Sequence, residues 1–83
     1  MYILYVKSGC PFCAMVLHTV DELGLTVEER DIASAGIADE LVARGGKRMV
    51  PYLVDTERSV EMYESADIVD YLQSNASAVE ESV

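Results

Sequence analysis

The spacing of hydrophobic residues along the chain predicts strands in some segments and helices in others. Residues 2–6 are a continuous run of apolar and aromatic residues, which is typical of a strand buried on both faces of a sheet. Pro11 predicts the start of a helix, because proline is favoured at the first helical position, where its missing N–H would be unpaired anyway. Apolar residues recur at helical spacing after it, and Gly24 ends the helix.

A second strand and a second helix follow this first pair. Residues 26–31 predict a more polar strand, which suits the edge of a sheet. Ser34 is expected to cap the next helix through its side chain, and Gly45-Gly46 ends that helix. The residues expected to face inward are Ile37, Ala38, Leu41 and Val42.

The last part of the chain predicts a hairpin and a third helix. Residues 51–54 and 60–63 are expected to form two strands joined by a polar turn. Ser65 is expected to cap the third helix. Residues 75–83 are small and acidic, and they predict a frayed or weakly helical tail after a single domain of residues 1–74.

The predicted element order is β-α-β-α-β-β-α. The first β-α-β unit implies a parallel pair of strands with a right-handed crossover, and the last two strands form an antiparallel hairpin. We therefore expect an α/β fold of the thioredoxin-like, glutaredoxin type, with a four-stranded mixed sheet and helices on both faces. The 83 residues are enough for one domain.

Charge and composition narrow the classes of partner. The net charge is −9, from 15 acidic and 6 basic residues, which argues against nucleic acid and anionic membranes because their phosphates need a basic surface. No signal peptide is visible, and no apolar stretch approaches the roughly 20 residues of a membrane span. We expect a soluble, cytoplasmic monomer.

Cys10 and Cys13 are the strongest candidates for chemistry. A disulfide across so short a loop would constrain the unfolded chain little, so the pair suits catalysis better than structure. Cys10 precedes Pro11, which places its sulfur at a helix N-terminus, where the helix dipole, unpaired N–H groups and Lys7 favour the thiolate. Cys13 lies one turn later and further inside. We therefore assign Cys10 as the nucleophile and Cys13 as the resolving thiol.

Metal binding is the main alternative for two cysteines at this spacing. A structural zinc site needs four ligands, and the chain has no other cysteine. Its only histidine, His18, falls in the middle of the first predicted helix. We therefore predict no metal site.

Three segments carry a resemblance to a known family that covers about residues 1–74. Lys7 followed by Cys10-Pro11-Phe12-Cys13 resembles the active site of glutaredoxins. Residues 49–51, Met-Val-Pro, resemble the family's Thr-Val-Pro segment, whose proline is cis. Residues 62–68 resemble the matching segment of the glutathione-transferase N-terminal domain more than that of ordinary glutaredoxins.

The resemblance implies a binding site for glutathione or a related γ-glutamyl thiol. A cis Val50-Pro51 bond would leave the Val50 backbone free to pair with an extended cysteinyl peptide. Ser65 and the following N–H groups at a helix N-terminus would hold the γ-glutamyl carboxylate. Either Glu64 or Asp67 would accept the γ-glutamyl amine, and Phe12 would lie at the rim of the groove. The candidates for pairing with the glycine carboxylate are Lys7, Lys47 and either Arg44 or Arg48.

The predicted function is therefore that of a glutaredoxin-like thiol–disulfide oxidoreductase. It would reduce protein disulfides or glutathione mixed disulfides, with no tightly bound cofactor and with glutathione or a related γ-glutamyl thiol as co-substrate. Three alternatives stay open. They are an electron donor recharged by a reductase protein, an iron–sulfur cluster carrier that uses Cys10 of two chains, and a non-catalytic glutathione-binding module.

Overall fold

The elements follow one another in the predicted order. The computed structural model describes the backbone of residues 1–81 and the side chains of residues 1–75. The seven elements are β1 (Tyr2–Val6), α1 (Pro11–Glu22), β2 (Val27–Asp31), α2 (Ile37–Gly45), β3 (Tyr52–Asp55), β4 (Val60–Met62) and α3 (Ser65–Glu81). None of these helices is long and apolar enough to cross a membrane.

The sheet is mixed, with strand order β2-β1-β3-β4. Strand β1 runs parallel to β2, with Leu4 opposite Glu29 and Val6 opposite Asp31. It runs antiparallel to β3, which in turn forms an antiparallel hairpin with β4. The predicted parallel pair and hairpin are therefore confirmed, and the polar strand β2 lies at an edge, as its composition indicates.

Strand β1 holds the two halves of the core together. Leu4 and Val6 point to the face covered by α1 and α3, where they pack with Val16, Ile68 and Leu72. Ile3 and Tyr5 point to the other face, where Leu41 of α2 covers them. Since both faces of β1 are buried, the strand has no polar positions, which is the pattern from which it was predicted.

The start and outer face of α2 differ from the prediction. The residue before the helix is Gly36, whose φ of 83° lies in the left-handed region, and Ser34 contributes only a backbone oxygen to the Ile37 N–H. Because the chain reverses at Gly36, Ser34 lies two residues before the N-cap position of α2 and cannot cap this helix. Val42 is 42% exposed, because it lies about 100° around the helix from the buried Leu41.

The third helix also differs at both ends. Ser65 is its first residue, and the Glu64 carbonyl accepts the N–H of Ile68, so Ser65 lies one position inside the predicted cap. The helix continues through Glu81, across the tail boundary predicted after residue 74. The last two residues of that predicted tail lie outside the described residues, and the division into domain and tail stays a prediction.

Gly45 allows α2 to approach the segment that follows β4. A Cβ at this position would overlap the Tyr63 hydroxyl and lie 3.0 Å from the ring of Tyr52. The Tyr63 hydroxyl accepts the Lys47 N–H at 2.9 Å and donates to the Lys47 carbonyl at 2.7 Å. Tyr63 therefore holds the loop before Val50 in place, and it needs the space that glycine leaves.

We predict that Gly45→Ala destabilises the protein. Helix propensity alone would favour alanine by about 1 kcal/mol, whereas overpacking against two rings costs about 1–3 kcal/mol, so the net effect should be a loss of stability. Urea unfolding followed by circular dichroism measures it. Ala43→Gln, at an exposed position of the same helix, is the matched control. A more stable Gly45→Ala variant would contradict this packing.

Candidate dithiol active site

Cys10 occupies the turn between the end of β1 and the start of α1. It is the N-cap residue of α1, with extended backbone angles (φ −87°, ψ 113°), and its Sγ accepts the N–H of Cys13 at 3.2 Å. The Cys10 N–H donates to the Lys7 carbonyl, and Gly9 adopts a left-handed φ of 79° that closes this turn. A sulfur atom therefore takes the place that an oxygen fills in most helix caps.

This position favours the Cys10 thiolate. Burial is the largest single influence on the Cys10 pKa, and its effect is to raise that pKa. The Cys13 thiol, the N–H groups of Cys13 and Phe12 and the charge of Lys7 all act in the other direction. Together they outweigh burial, so the pKa of Cys10 is lowered, and the thiolate is the nucleophilic form.

Cys13 has the opposite environment. It is 2% exposed, and burial raises its pKa to about 11, with further contributions from the Cys10 thiol and the Asp31 carboxylate. Both cysteines are free thiols in the structure. The predicted difference in exposure and ionisation is therefore present, with one activated sulfur near the surface and one protonated sulfur beneath it.

Several of the predicted ligand-binding residues meet in one groove beside the start of α1. The Val50-Pro51 peptide bond is cis, as the resemblance implies. Within the described residues, neither the N–H nor the carbonyl of Val50 has a hydrogen-bond partner. This groove, which we call the proline groove, has a volume of about 180 Å³ and is lined by Phe12, Met49, Val50, Pro51, Tyr63, Glu64 and Ser65.

The predicted alternatives for the amine partner separate in this structure. Glu64 lines the proline groove, whereas Asp67, in the first turn of α3, does not. Pro11 is the exposed first residue of α1 and does not line the groove either. Met49 and Tyr63 were not predicted as lining residues. Tyr63 does so because its hydroxyl ties the loop of Lys47 to the segment after β4, a contact that only the folded chain reveals.

The basic residues divide into two groups of three. Among the described side chains, three arginines pair with carboxylates, and Arg44 does so with Glu61 at 3.7 Å. The other three have no carboxylate within ion-pair distance among those side chains, and they are Lys7, Lys47 and Arg48. Lys7 lies beside Cys10, and Lys47 and Arg48 lie in the loop before Val50. The basic side chains without an acidic partner among the described side chains therefore lie around the candidate site. Because Arg44 already pairs with Glu61, Arg48 is the better candidate of the two for binding a ligand carboxylate.

Cys10 itself lines a second groove, between α1 and the edge strand β2, that was not predicted. Its charged lining residues are Glu29 and Asp31 of β2 and Lys7, which follows β1. We call it the carboxylate groove; its volume is about 290 Å³, and its lining residues are Val6, Lys7, Ser8, Gly9, Cys10, Cys13, Ala14, Leu17, Glu29 and Asp31. In the part of the chain that the structure describes, no group of three or more His, Cys, Asp or Glu residues is placed to hold a metal ion.

Solved structures share this architecture. A glutathione S-transferase from the Antarctic clam Laternula elliptica is 26% identical, with a TM-score of 0.76 over 90% of this chain and 35% of its own. Glutaredoxin 2 from Salmonella typhimurium, solved in complex with glutathione, is 28% identical, with a TM-score of 0.75 over 87% of this chain and 32% of its own. The thioredoxin-like protein BC3987 is 19% identical, with a TM-score of 0.76 over 89% of this chain and 97% of its own. The fold is therefore thioredoxin-like, as predicted.

A match to a family model identifies the protein family within this fold. The model of the glutathione S-transferase N-terminal domain matches residues 4–80, and the chain belongs to this family. The predicted relationship to glutaredoxins and to that transferase domain is confirmed. The chain spans about a third of the length of the clam transferase and of the Salmonella glutaredoxin. No curated protein matched the sequence.

We predict that Cys10 is alkylated in its thiolate form with a midpoint below the ordinary thiol value of about 8.5, because its pKa is lowered. The rate of reaction with iodoacetamide against pH, with peptide mapping of the product, measures this midpoint. Lys7→Met should raise it, because the lysine charge stabilises the thiolate. Lys47→Met removes the same charge elsewhere and should leave the midpoint nearly unchanged. A Cys10 midpoint at or above 8.5 in the unmodified protein would contradict the activated thiolate.

Proposed function

We propose that this chain is a glutaredoxin-like thiol–disulfide oxidoreductase that acts through Cys10 and Cys13. The observation that carries the proposal is the hydrogen bond from the Cys13 N–H to the Cys10 sulfur at the N-terminus of α1, at 3.2 Å. It stabilises a thiolate on the more exposed sulfur, while the second sulfur stays buried and protonated. The cytoplasm, where thiols are kept reduced, is the compartment that suits this chemistry.

The reaction follows from the unequal thiols. The Cys10 thiolate attacks one sulfur of a disulfide, a new bond forms to Cys10, and the other sulfur leaves with the electron pair and takes a proton from water. A second thiol molecule then attacks the mixed disulfide and restores the Cys10 thiolate. Alternatively, Cys13 loses its proton and attacks the Cys10 sulfur; the intramolecular disulfide forms, the mixed disulfide breaks, and the bound thiol leaves with the electron pair and takes a proton from water. Since burial raises the pKa of Cys13 and disfavours its thiolate, the route through a second thiol molecule should dominate for glutathione mixed disulfides.

Glutathione or a related γ-glutamyl thiol is the co-substrate that suits the proline groove. The groove combines the unpaired Val50 backbone with Glu64 and Ser65 at the start of α3, where free N–H groups favour a carboxylate. Lys47 and Arg48 lie beside it without acidic partners among the described side chains. One of the structural neighbours, Salmonella glutaredoxin 2, was solved in complex with glutathione. Disulfide-containing or glutathionylated proteins are the proposed protein partners, and the proposed state is a monomer.

The family match favours a second candidate, a glutathione-binding domain that assists conjugation rather than disulfide exchange. Conjugation uses the thiol of glutathione as the nucleophile and needs no cysteine pair. An assay of glutathione conjugation to 1-chloro-2,4-dinitrobenzene distinguishes the two. Conjugation that persists in Cys10→Ser, without any disulfide reduction by the unmodified chain, would favour this second candidate.

We predict that Cys10→Ser abolishes reduction of a glutathionylated substrate, whereas Cys13→Ser retains most of it. Only Cys10 carries an activated sulfur, and a second glutathione molecule can resolve the mixed disulfide without Cys13. A coupled assay with glutathione and glutathione reductase measures both rates. Equal loss in the two variants would contradict the glutathione route and favour a dithiol donor recharged by a reductase protein.

We also predict that Lys47→Met/Arg48→Met weakens binding of glutathione by about fivefold, the effect expected for exposed ion pairs. Isothermal titration of the reduced protein measures it. Binding of γ-glutamylcysteine, which lacks the glycine carboxylate, should hardly change, and it is the matched control ligand. An equal effect on both ligands would argue against pairing of these side chains with that carboxylate.

A further inference from the structure

The carboxylate groove and the proline groove have no lining residue in common. Cys10 and Cys13 both line it, whereas neither lines the proline groove. If a γ-glutamyl half of a mixed disulfide lies in the proline groove, the other half must leave by a different route. Of these two grooves, only the carboxylate groove is lined by Cys10, and its volume of about 290 Å³ accommodates an amino-acid side chain.

The wall of this groove carries an excess of negative charge. Glu29 and Asp31 stand opposite Leu4 and Val6 in the parallel pair, so both carboxylates lie on the face of the sheet that α1 covers. Glu29 is exposed and has no ion-pair partner among the described side chains. Asp31 uses Oδ1 to accept the Ala33 N–H at 2.8 Å, which leaves its other oxygen available. Lys7 supplies the only opposing charge among the lining residues.

The groove is also open to a polypeptide. Strand β2 is an edge strand, and in the described sheet no other strand covers its outer side. A segment of a folded or unfolded protein can therefore approach Cys10 along this edge, which an enclosed pocket would prevent. A basic side chain next to the reacting cysteine would then lie against the two carboxylates.

We infer that the carboxylate groove binds the leaving half of a glutathionylated protein and selects for lysine or arginine beside its cysteine. This inference rests on the proposed function and adds a substrate preference to it. Cys10 attacks the glutathionyl sulfur, the Cys10–glutathione bond forms, and the bond to the protein sulfur breaks. The protein thiolate leaves with the electron pair and is protonated by water, and a second glutathione then regenerates Cys10 as glutathione disulfide forms.

The test compares two glutathionylated peptides of equal length that have either lysine or glutamate on both sides of the cysteine. The ratio of their kcat/KM values at low salt is the readout, since any change in Cys10 nucleophilicity affects both peptides alike. The unmodified protein should prefer the lysine peptide by about fivefold or more, and added salt should reduce this preference. Glu29→Gln/Asp31→Asn should bring the ratio close to one.

A matched control separates the groove from the overall negative charge. Asp21→Asn/Glu22→Gln removes the same amount of charge near the other end of α1. At 1.5 Å per residue this is roughly 15 Å from Pro11, so the variant should keep the preference for the lysine peptide. Glu29→Gln alone keeps the Asp31 contact to Ala33 and should still lower the ratio if the double variant does not fold. Equal rates for the two peptides, or equal effects of the two double variants, would overturn the inference alone. Failure of the unmodified protein to reduce either peptide would overturn the proposed function together with it.

Discussion

The bond between the Cys13 N–H and the Cys10 sulfur depends on the junction between β1 and α1. This bond requires α1 to begin within a few residues of the end of β1. The position of β1 is fixed because its side chains are buried against helices on both faces of the sheet. Once the helix starts at Pro11, its first free N–H groups point at Cys10. The same helix carries Cys13 inward, so the fold that activates one thiol also buries the other.

The family and the cysteine pair contribute different things to this protein. The cis Val50-Pro51 bond and the start of α3 lie within residues 4–80, which match the model of the glutathione S-transferase N-terminal domain. Residues of these two segments line the proline groove, the candidate binding site. The two thiols at the N-terminus of α1 supply a nucleophile of the protein's own, and on this observation we base our proposal of disulfide exchange rather than conjugation.

Much of the fold was predictable because local patterns and tertiary packing agree. The apolar run of β1, the helix start at Pro11 and the polar edge strand β2 each have one dominant physical cause. The Ser34 cap was not predictable correctly because Gly36 reverses the chain and delays the helix, and Val42 is exposed because it lies about 100° around α2 from the buried Leu41. Glu29 and Asp31 could not be connected with Cys10 from their sequence positions, because only the register of β1 with β2 brings them to the same groove.

Trapping the first covalent intermediate tests the central claim most directly. Reduced protein is mixed with glutathione disulfide, quenched with acid within seconds, digested, and analysed by mass spectrometry to locate the bound glutathione. The account predicts a glutathione adduct on Cys10, which forms faster as pH rises through the lowered pKa of that thiol. An adduct that forms first on Cys13, or no adduct on either cysteine, would contradict it.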